Sequence, residues 1–150
     1  MKGYPAFVHS LTWILMLGLL ISGLLILPGM LDLKFEIDVP FRLRGEWTLI
    51  MAASHALFAF LAVGLVGALL PVHIRLNLRR HIKRLSGFTL LGATSLLILT
   101  ALGIYYFGDP YLSHLSSLIH TVVGLVMGLV FILHALNIGL SRLSSGPEAQ

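Results

Sequence analysis

The chain alternates between four long apolar stretches and three short polar ones. Each apolar stretch can cross a bilayer core as a helix, for which about 20 residues suffice. The four predicted spans cover residues 6–27, 47–72, 85–107 and 111–140. Pro28-Gly29 is expected to end the first span, and Asp109-Pro110 supplies the N-cap and first-turn proline that open the fourth. The pattern predicts an all-α chain, an integral membrane four-helix bundle with up-down topology.

One loop has a different period. Between Gly29 and Pro40, apolar residues alternate with charged ones from Leu31 to Val39. A period of two is typical of a strand. We expect this segment to be extended and to pack over the bundle, with the docking of a partner protein as the alternative.

Composition supports the membrane class. Hydrophobic residues make up 57% of the 150-residue chain and charged residues 11%, which excludes an ordinary soluble domain. The chain has no cysteine, which excludes disulfides, iron–sulfur clusters and covalently attached haem. We expect the chain to lie in a lipid bilayer and to bind no nucleic acid.

Charge predicts the orientation in the membrane. The loop between the second and third spans carries basic residues and no acidic ones: Arg75, Arg79, Arg80, Lys83 and Arg84. The first loop mixes both signs, and the third holds only Asp109. By the positive-inside rule, the second loop and both the N and C termini face the cytoplasm.

Five of the seven histidines lie within the predicted spans. His114 stands at the outer start of the fourth span, and the other four are His9, His55, His120 and His134. A polar side chain in hydrocarbon is costly without a partner, so such histidines are candidates for a functional site. His120 and His134 are 14 residues apart on the fourth span. This spacing returns to within about 40° of the same face and separates them by about 21 Å along the axis. One helix thus offers two imidazoles on one side at two membrane depths.

The other two histidines match these depths. His9 and His134 both lie near the cytoplasmic ends of their spans, while His55 and His120 both lie about two turns from the outer ends. We therefore pair His9 with His134 and His55 with His120, and each pair can hold the iron of one haem. His73, which follows His55 by 18 residues on the same face, is an alternative to His9.

Two other classes of function stay open. The histidines could line a path for a transition metal, because imidazole binds many metals. The chain could also be a membrane anchor without a cofactor. The absence of inward carboxylates from the spans, and the sorting of the histidines into two layers, weigh against metal transport.

The same residues resemble those of the four-helix dihaem cytochrome b subunits of bacterial respiratory enzymes. This family includes the gamma subunit of formate dehydrogenase-N, bacterial cytochrome b and the cytochrome b of nickel–iron hydrogenase. The likeness covers nearly the whole chain and departs from the family in its short termini. Its residues are His9 with Ser22-Gly23, then His55, then Thr100 and Gly103, and finally His120, Gly124 and His134.

The resemblance implies two haem b groups with the four paired histidines as iron ligands, a quinone site near one haem, and a partner redox subunit such as an iron–sulfur or multihaem cytochrome protein. It also implies a bacterial or archaeal cytoplasmic (inner) membrane, and an electron-transfer subunit rather than a stand-alone enzyme. Quinone chemistry needs a titratable group near a haem edge. His73 and Arg75 are candidates on the inner side, and Asp109 and His114 on the outer side.

Overall fold

The computed structural model describes the backbone of residues 6–80 and 84–144, and the side chains of residues 6–71 and 89–133. The described residues form four helices and no strand. The helices are α1 (Ala6–Phe35), α2 (Glu46–Arg80), α3 (Arg84–Tyr106) and α4 (Pro110–Ser144). All four are long and apolar enough to cross a membrane, which confirms the all-α prediction and indicates a multi-pass membrane protein in contact with lipid.

The first helix is longer than its predicted span. α1 continues through Pro28 to Phe35, and residues 36–39 have no regular structure, so the prediction of a strand between Leu31 and Val39 is wrong. A proline removes one backbone donor, a loss that membrane helices tolerate. α1 ends where Glu36 enters the left-handed region, with φ of 55°.

Two side-chain contacts hold the added turns of α1. Asp32 forms an ion pair with Arg42 in the loop that follows. Lys34 Nζ donates a hydrogen bond to Ser113 Oγ on α4, at 2.7 Å. Asp32 and Lys34, two charged residues of the alternating segment, therefore reach their partners from a helix and not from a strand.

The start of α4 agrees with its sequence signal. Pro110 is the first helical residue. Oδ1 of Asp109 accepts a hydrogen bond from the backbone N–H of Leu112 at 2.8 Å. Asp109 is therefore the N-cap of α4, because its carboxylate satisfies one of the free N–H groups of the first turn.

The helices form two hairpins. α1 packs mainly on α2, and α3 mainly on α4; α1 and α4 join the two hairpins, and α2 and α3 touch least. Along α1 and α2 the contacts run in opposite chain directions, since Ser22 meets His55 while Gly18 lies against the ring of Phe58. Within the described residues α2 and α4 are not direct neighbours, so they occupy opposite corners of the bundle.

The interior of the bundle is small and polar. Leu15 is the one large apolar side chain that is buried among the described residues. The other buried residues are Ser22, Thr100, Gly103, Ser116, Ser117 and Gly128. Large apolar side chains lie outside instead, as with Phe60, which is 76% exposed. This distribution is typical of membrane bundles, in which small residues let helices approach and lipid covers the outer surface.

Candidate cofactor site

His55 and His120 meet in the interior of the bundle. Their ring centroids are 6.3 Å apart, and the ring planes are inclined by 69°. They come from α2 and α4, the helices at opposite corners, so the rings meet across the diagonal. Each lies roughly two to three turns from the start of its helix. The structure thus brings together the two histidines that the sequence matched by depth.

The Nδ1 atom of His55 is bonded to Ser22 on α1. Ser22 Oγ lies 2.9 Å from this nitrogen, and it also donates its own hydrogen to the carbonyl oxygen of Gly18 at 2.6 Å. A hydroxyl group has one hydrogen, so Ser22 Oγ acts as an acceptor toward His55. Nδ1 of His55 therefore carries the ring proton.

The Nδ1 atom of His120 has two partners on α3. It lies 3.1 Å from the carbonyl oxygen of Leu97 and 3.1 Å from Thr100 Oγ1. A carbonyl oxygen can only accept, and the hydrogen of the Thr100 hydroxyl is donated to Leu96 O at 2.8 Å. Nδ1 of His120 therefore also carries the proton.

Both imidazoles are thus held in the tautomer that leaves the Nε2 lone pair free. Metal-binding histidines are arranged in this way, with one ring nitrogen donating to a hydroxyl or carbonyl group while the other binds the metal. Space for the His55 ring comes from Gly23, where an added Cβ would lie 3.2 Å from Cε1 of the ring. The four helices each contribute to the site: ligand candidates from α2 and α4, and hydroxyl groups from α1 and α3.

The separation of the rings fits one shared metal ion. An imidazole nitrogen binds a metal at about 2 Å and the ring centroid lies about 1 Å behind that nitrogen, so two imidazoles on opposite sides of one ion have centroids about 6 Å apart. The observed 6.3 Å agrees with this value. Two nitrogens are also the donor set that haem iron takes from a protein as axial ligands. The residues present therefore fit a haem between His55 and His120.

Of the other predicted pair, His9 and His134, the structure describes only the side chain of His9. His9 is exposed, and its Nε2 accepts a hydrogen bond from Trp13 Nε1 at 3.2 Å. Trp13 in turn packs against Phe131 of α4, with ring centroids 4.8 Å apart. This contact between antiparallel helices puts backbone position 134 level with residues 9–13, but the side chain of His134 lies outside the described residues. The pairing of His9 with His134 stays a prediction.

The residues predicted for quinone or proton chemistry fall into two groups. Asp109 caps α4 at one end of the bundle, and His114, one turn further on, packs against Phe35 with ring centroids 5.7 Å apart. The side chains of His73 and Arg75 lie outside the described residues. Asp109 and His114 therefore share one end of the bundle, and the inner candidates stay predictions.

Sequence reasoning missed two parts of the site. It noted Ser22 and Thr100 as small residues but not as partners of the histidines, and it did not single out Ser113. A signal was present on α4, where Ser113, Ser117 and His120 follow at helical spacing and so form a polar stripe on one face of an apolar helix. Such a stripe indicates which face of a membrane helix is turned away from lipid.

Comparisons with protein-family models, with curated proteins and with solved structures give no match to this chain. The case for a function is therefore carried by the residues and the geometry of the chain.

Proposed function

We propose that this protein is a membrane cytochrome b that carries electrons within the bilayer, with the iron of one haem b held between His55 and His120. One observation carries the proposal: the centroids of the two imidazole rings lie 6.3 Å apart across the bundle, each ring has its Nδ1 hydrogen-bonded, and neither Nε2 has a hydrogen bond to a described residue. When bound, the haem supplies one-electron chemistry; the protein supplies ligands, orientation and polarity.

The chain prepares this site before any ligand binds. Ser22 and Thr100 already fix the protonated face of each imidazole, so less side-chain freedom is lost when the opposite nitrogens become ligands. A hydrogen bond to Nδ1 also increases the electron donation of a ligating imidazole. Ser22 and Thr100 therefore increase the affinity of the two imidazoles for the metal and lower its reduction potential.

A second haem b belongs to the proposal, with His9 and His134 as its ligands on the cytoplasmic side. The two histidines of α4 are about 21 Å apart along the helix axis. Two sites at these depths would form successive steps of an electron path through the bilayer. An electron that moves along such a path changes its energy by about 2.3 kcal/mol for each 100 mV of membrane potential it crosses.

The remaining features follow from the resemblance and the charge pattern. The basic segment between the second and third predicted spans, of which Arg75, Arg79 and Arg80 belong to α2 and Arg84 begins α3, faces the cytoplasm together with both termini. The membrane is the cytoplasmic membrane of a bacterium or archaeon. A quinone binds near one haem, and the candidate residues for the quinone or proton site are His73 and Arg75 on the inner side, or Asp109 and His114 on the outer side. A partner redox subunit, an iron–sulfur or multihaem cytochrome protein, exchanges electrons at the opposite surface.

An absorption spectrum and a haem-to-protein ratio of the purified full chain test the proposal. We expect bands of low-spin haem b that shift on reduction, and about two haems per chain. Bound zinc or copper without haem would instead favour metal transport, and the absence of any cofactor would favour an anchor. His55→Ala is expected to lower the ratio to about one, whereas His81→Ala, which changes a histidine outside the spans, should leave it unchanged.

A further inference from the structure

A lysine near the end of α1 is drawn onto α4. Lys34 is half-buried, and its Nζ donates to Ser113 Oγ at 2.7 Å and lies 3.4 Å from the carbonyl oxygen of Ser113. Both partners are neutral. The ammonium group is therefore held against the bundle by hydrogen bonds to neutral oxygen atoms, and these partners do not neutralise its positive charge.

The described acidic residues do not provide a negative counter-charge for Lys34. Asp32, one turn of chain before the end of α1, is engaged in an ion pair with Arg42, and Lys34 makes no ion pair with any described side chain. An ammonium group has three N–H donors, and Ser113 accepts at most two of them. A partly desolvated cation with only neutral partners is costly and attracts an anion.

The position of this cation relates it to the histidine pair. Ser113, Ser117 and His120 lie on one face of α4. Ser117 is fully buried and donates to the carbonyl oxygen of Ser113 at 2.9 Å, so this face is turned into the bundle. Ser113 precedes His120 by about 10 Å along the helix axis. The ammonium group of Lys34 therefore stands on the outer side of the histidine pair, beside the same interior face.

We infer that Lys34 binds a carboxylate of the haem that His55 and His120 hold, as the counter-charge of a propionate. The inference rests on the proposed function. A haem b carries two carboxylates, and the outer interface is the nearest polar region to this histidine pair. Of the two arginines at that end, Arg42 is in an ion pair with Asp32, and Arg44 is exposed rather than drawn onto the bundle as Lys34 is.

Substitution of Lys34 in the full chain tests the assignment. Lys34→Met should release haem to an acceptor apoprotein at least about tenfold faster, because a charge-assisted hydrogen bond is lost. It should also lower the reduction potential of one haem, since removing a positive charge favours the oxidised form. Lys34→Arg should restore both values toward those of the parent.

Two matched variants separate this role from packing. Ser113→Ala removes the hydroxyl partner of Lys34 but keeps the positive charge, and should leave the potential close to that of the parent. Arg44→Met removes an exposed cation at the same end of the bundle, and should change neither readout. A shift in the Ser113 variant as large as in Lys34→Met would overturn the assignment.

Reconstitution with iron protoporphyrin IX dimethyl ester gives the decisive comparison. This ligand keeps the iron and the ring but has no charged carboxylate, so the parent and Lys34→Met should release it equally fast. A difference that persists with the ester would overturn the assignment, because Lys34 would then act on helix packing or on another anion. A parent chain that binds no haem would contradict the proposed function itself, whereas equal release of native haem from both proteins would contradict only the role of Lys34.

Discussion

Nδ1 of His55 donates a hydrogen bond to Oγ of Ser22, and this 2.9 Å contact ties α2 to α1. The equivalent contact of the second hairpin joins His120 on α4 to Thr100 on α3, at 3.1 Å. Each hairpin thus orients its own histidine with a hydroxyl group from the neighbouring helix. The pair forms where the two hairpins come together, which makes the site a product of the whole bundle.

The hydrogen bonds that orient His55 and His120 are unequal in number, and this predicts that variants of Ser22 and Thr100 differ in haem affinity. Ser22→Ala removes the described side-chain acceptor of the His55 Nδ1 proton, and we expect haem affinity to fall by about 10- to 100-fold, as for other hydrogen-bond partners of metal ligands. Thr100→Val should cost less, because the carbonyl oxygen of Leu97 still accepts from His120. Haem release rates measure both effects.

The conservative variants Ser22→Thr and Thr100→Ser keep a hydroxyl group and should bind haem like the parent. Loss of the Nδ1 hydrogen bond should also raise the reduction potential, since a less electron-donating imidazole stabilises the oxidised iron less. A larger loss of affinity in Thr100→Val than in Ser22→Ala would contradict the hydrogen-bond assignment.

The space beside His55 gives a second prediction. A Cβ at position 23 would lie 3.2 Å from Cε1 and 3.6 Å from Nδ1 of the ring, so a branched side chain there must displace the imidazole. Gly23→Val should therefore lose the haem proposed between His55 and His120. Gly64→Val is the matched control, because an added Cβ at position 64 meets nothing within 4 Å. Haem-to-protein ratios that are equal in the two variants would argue against the predicted crowding.

The close contact between α3 and α4 at Gly103 predicts that a larger residue there destabilises the bundle. A Cβ at position 103 would collide with the side chain of Ser116, which is short and has little freedom to move away. Gly103→Ala should lower the free energy of unfolding by about 1–3 kcal/mol, the usual cost of overpacking. Gly92→Ala on the same helix meets nothing within 4 Å and should be tolerated. Thermal unfolding in detergent compares the two, and equal midpoints would show that α3 and α4 are not in close contact at Gly103.

The pair proposed for the second haem, His9 and His134, can be tested through Trp13. Its indole N–H occupies Nε2 of His9, so this bond must break before His9 can bind iron. Trp13→Phe removes the competing donor and should tighten binding of the proposed second haem by about two- to tenfold, the worth of one neutral hydrogen bond. His9→Ala should lose that haem and keep the one held by His55 and His120. Haem loss on replacing His73 but not His9 would transfer the ligand role to His73.

The sequence by itself determined the membrane class of the chain and the matching levels of His55 and His120 along the bundle. Four spans can be read from hydropathy because each is a property of a continuous stretch of chain. The levels of His55 and His120 follow from their distances to the ends of those spans. Local patterns failed at Leu31–Val39, because an alternation over a few residues does not exclude a helix and the contact of Lys34 with Ser113 carries α1 onward.

Only the tertiary structure decided which side chains surround the histidines. The bonds from Nδ1 to Ser22 and Thr100, the diagonal placement of α2 and α4, and the reach of Lys34 to Ser113 depend on how each helix is rotated and shifted against its neighbours. Rotation and shift are set by packing between residues far apart in the chain, here through small side chains such as Gly23 and Gly103. Periodicity along one helix carries no information about its neighbour, so these relationships emerge only when the four helices are assembled.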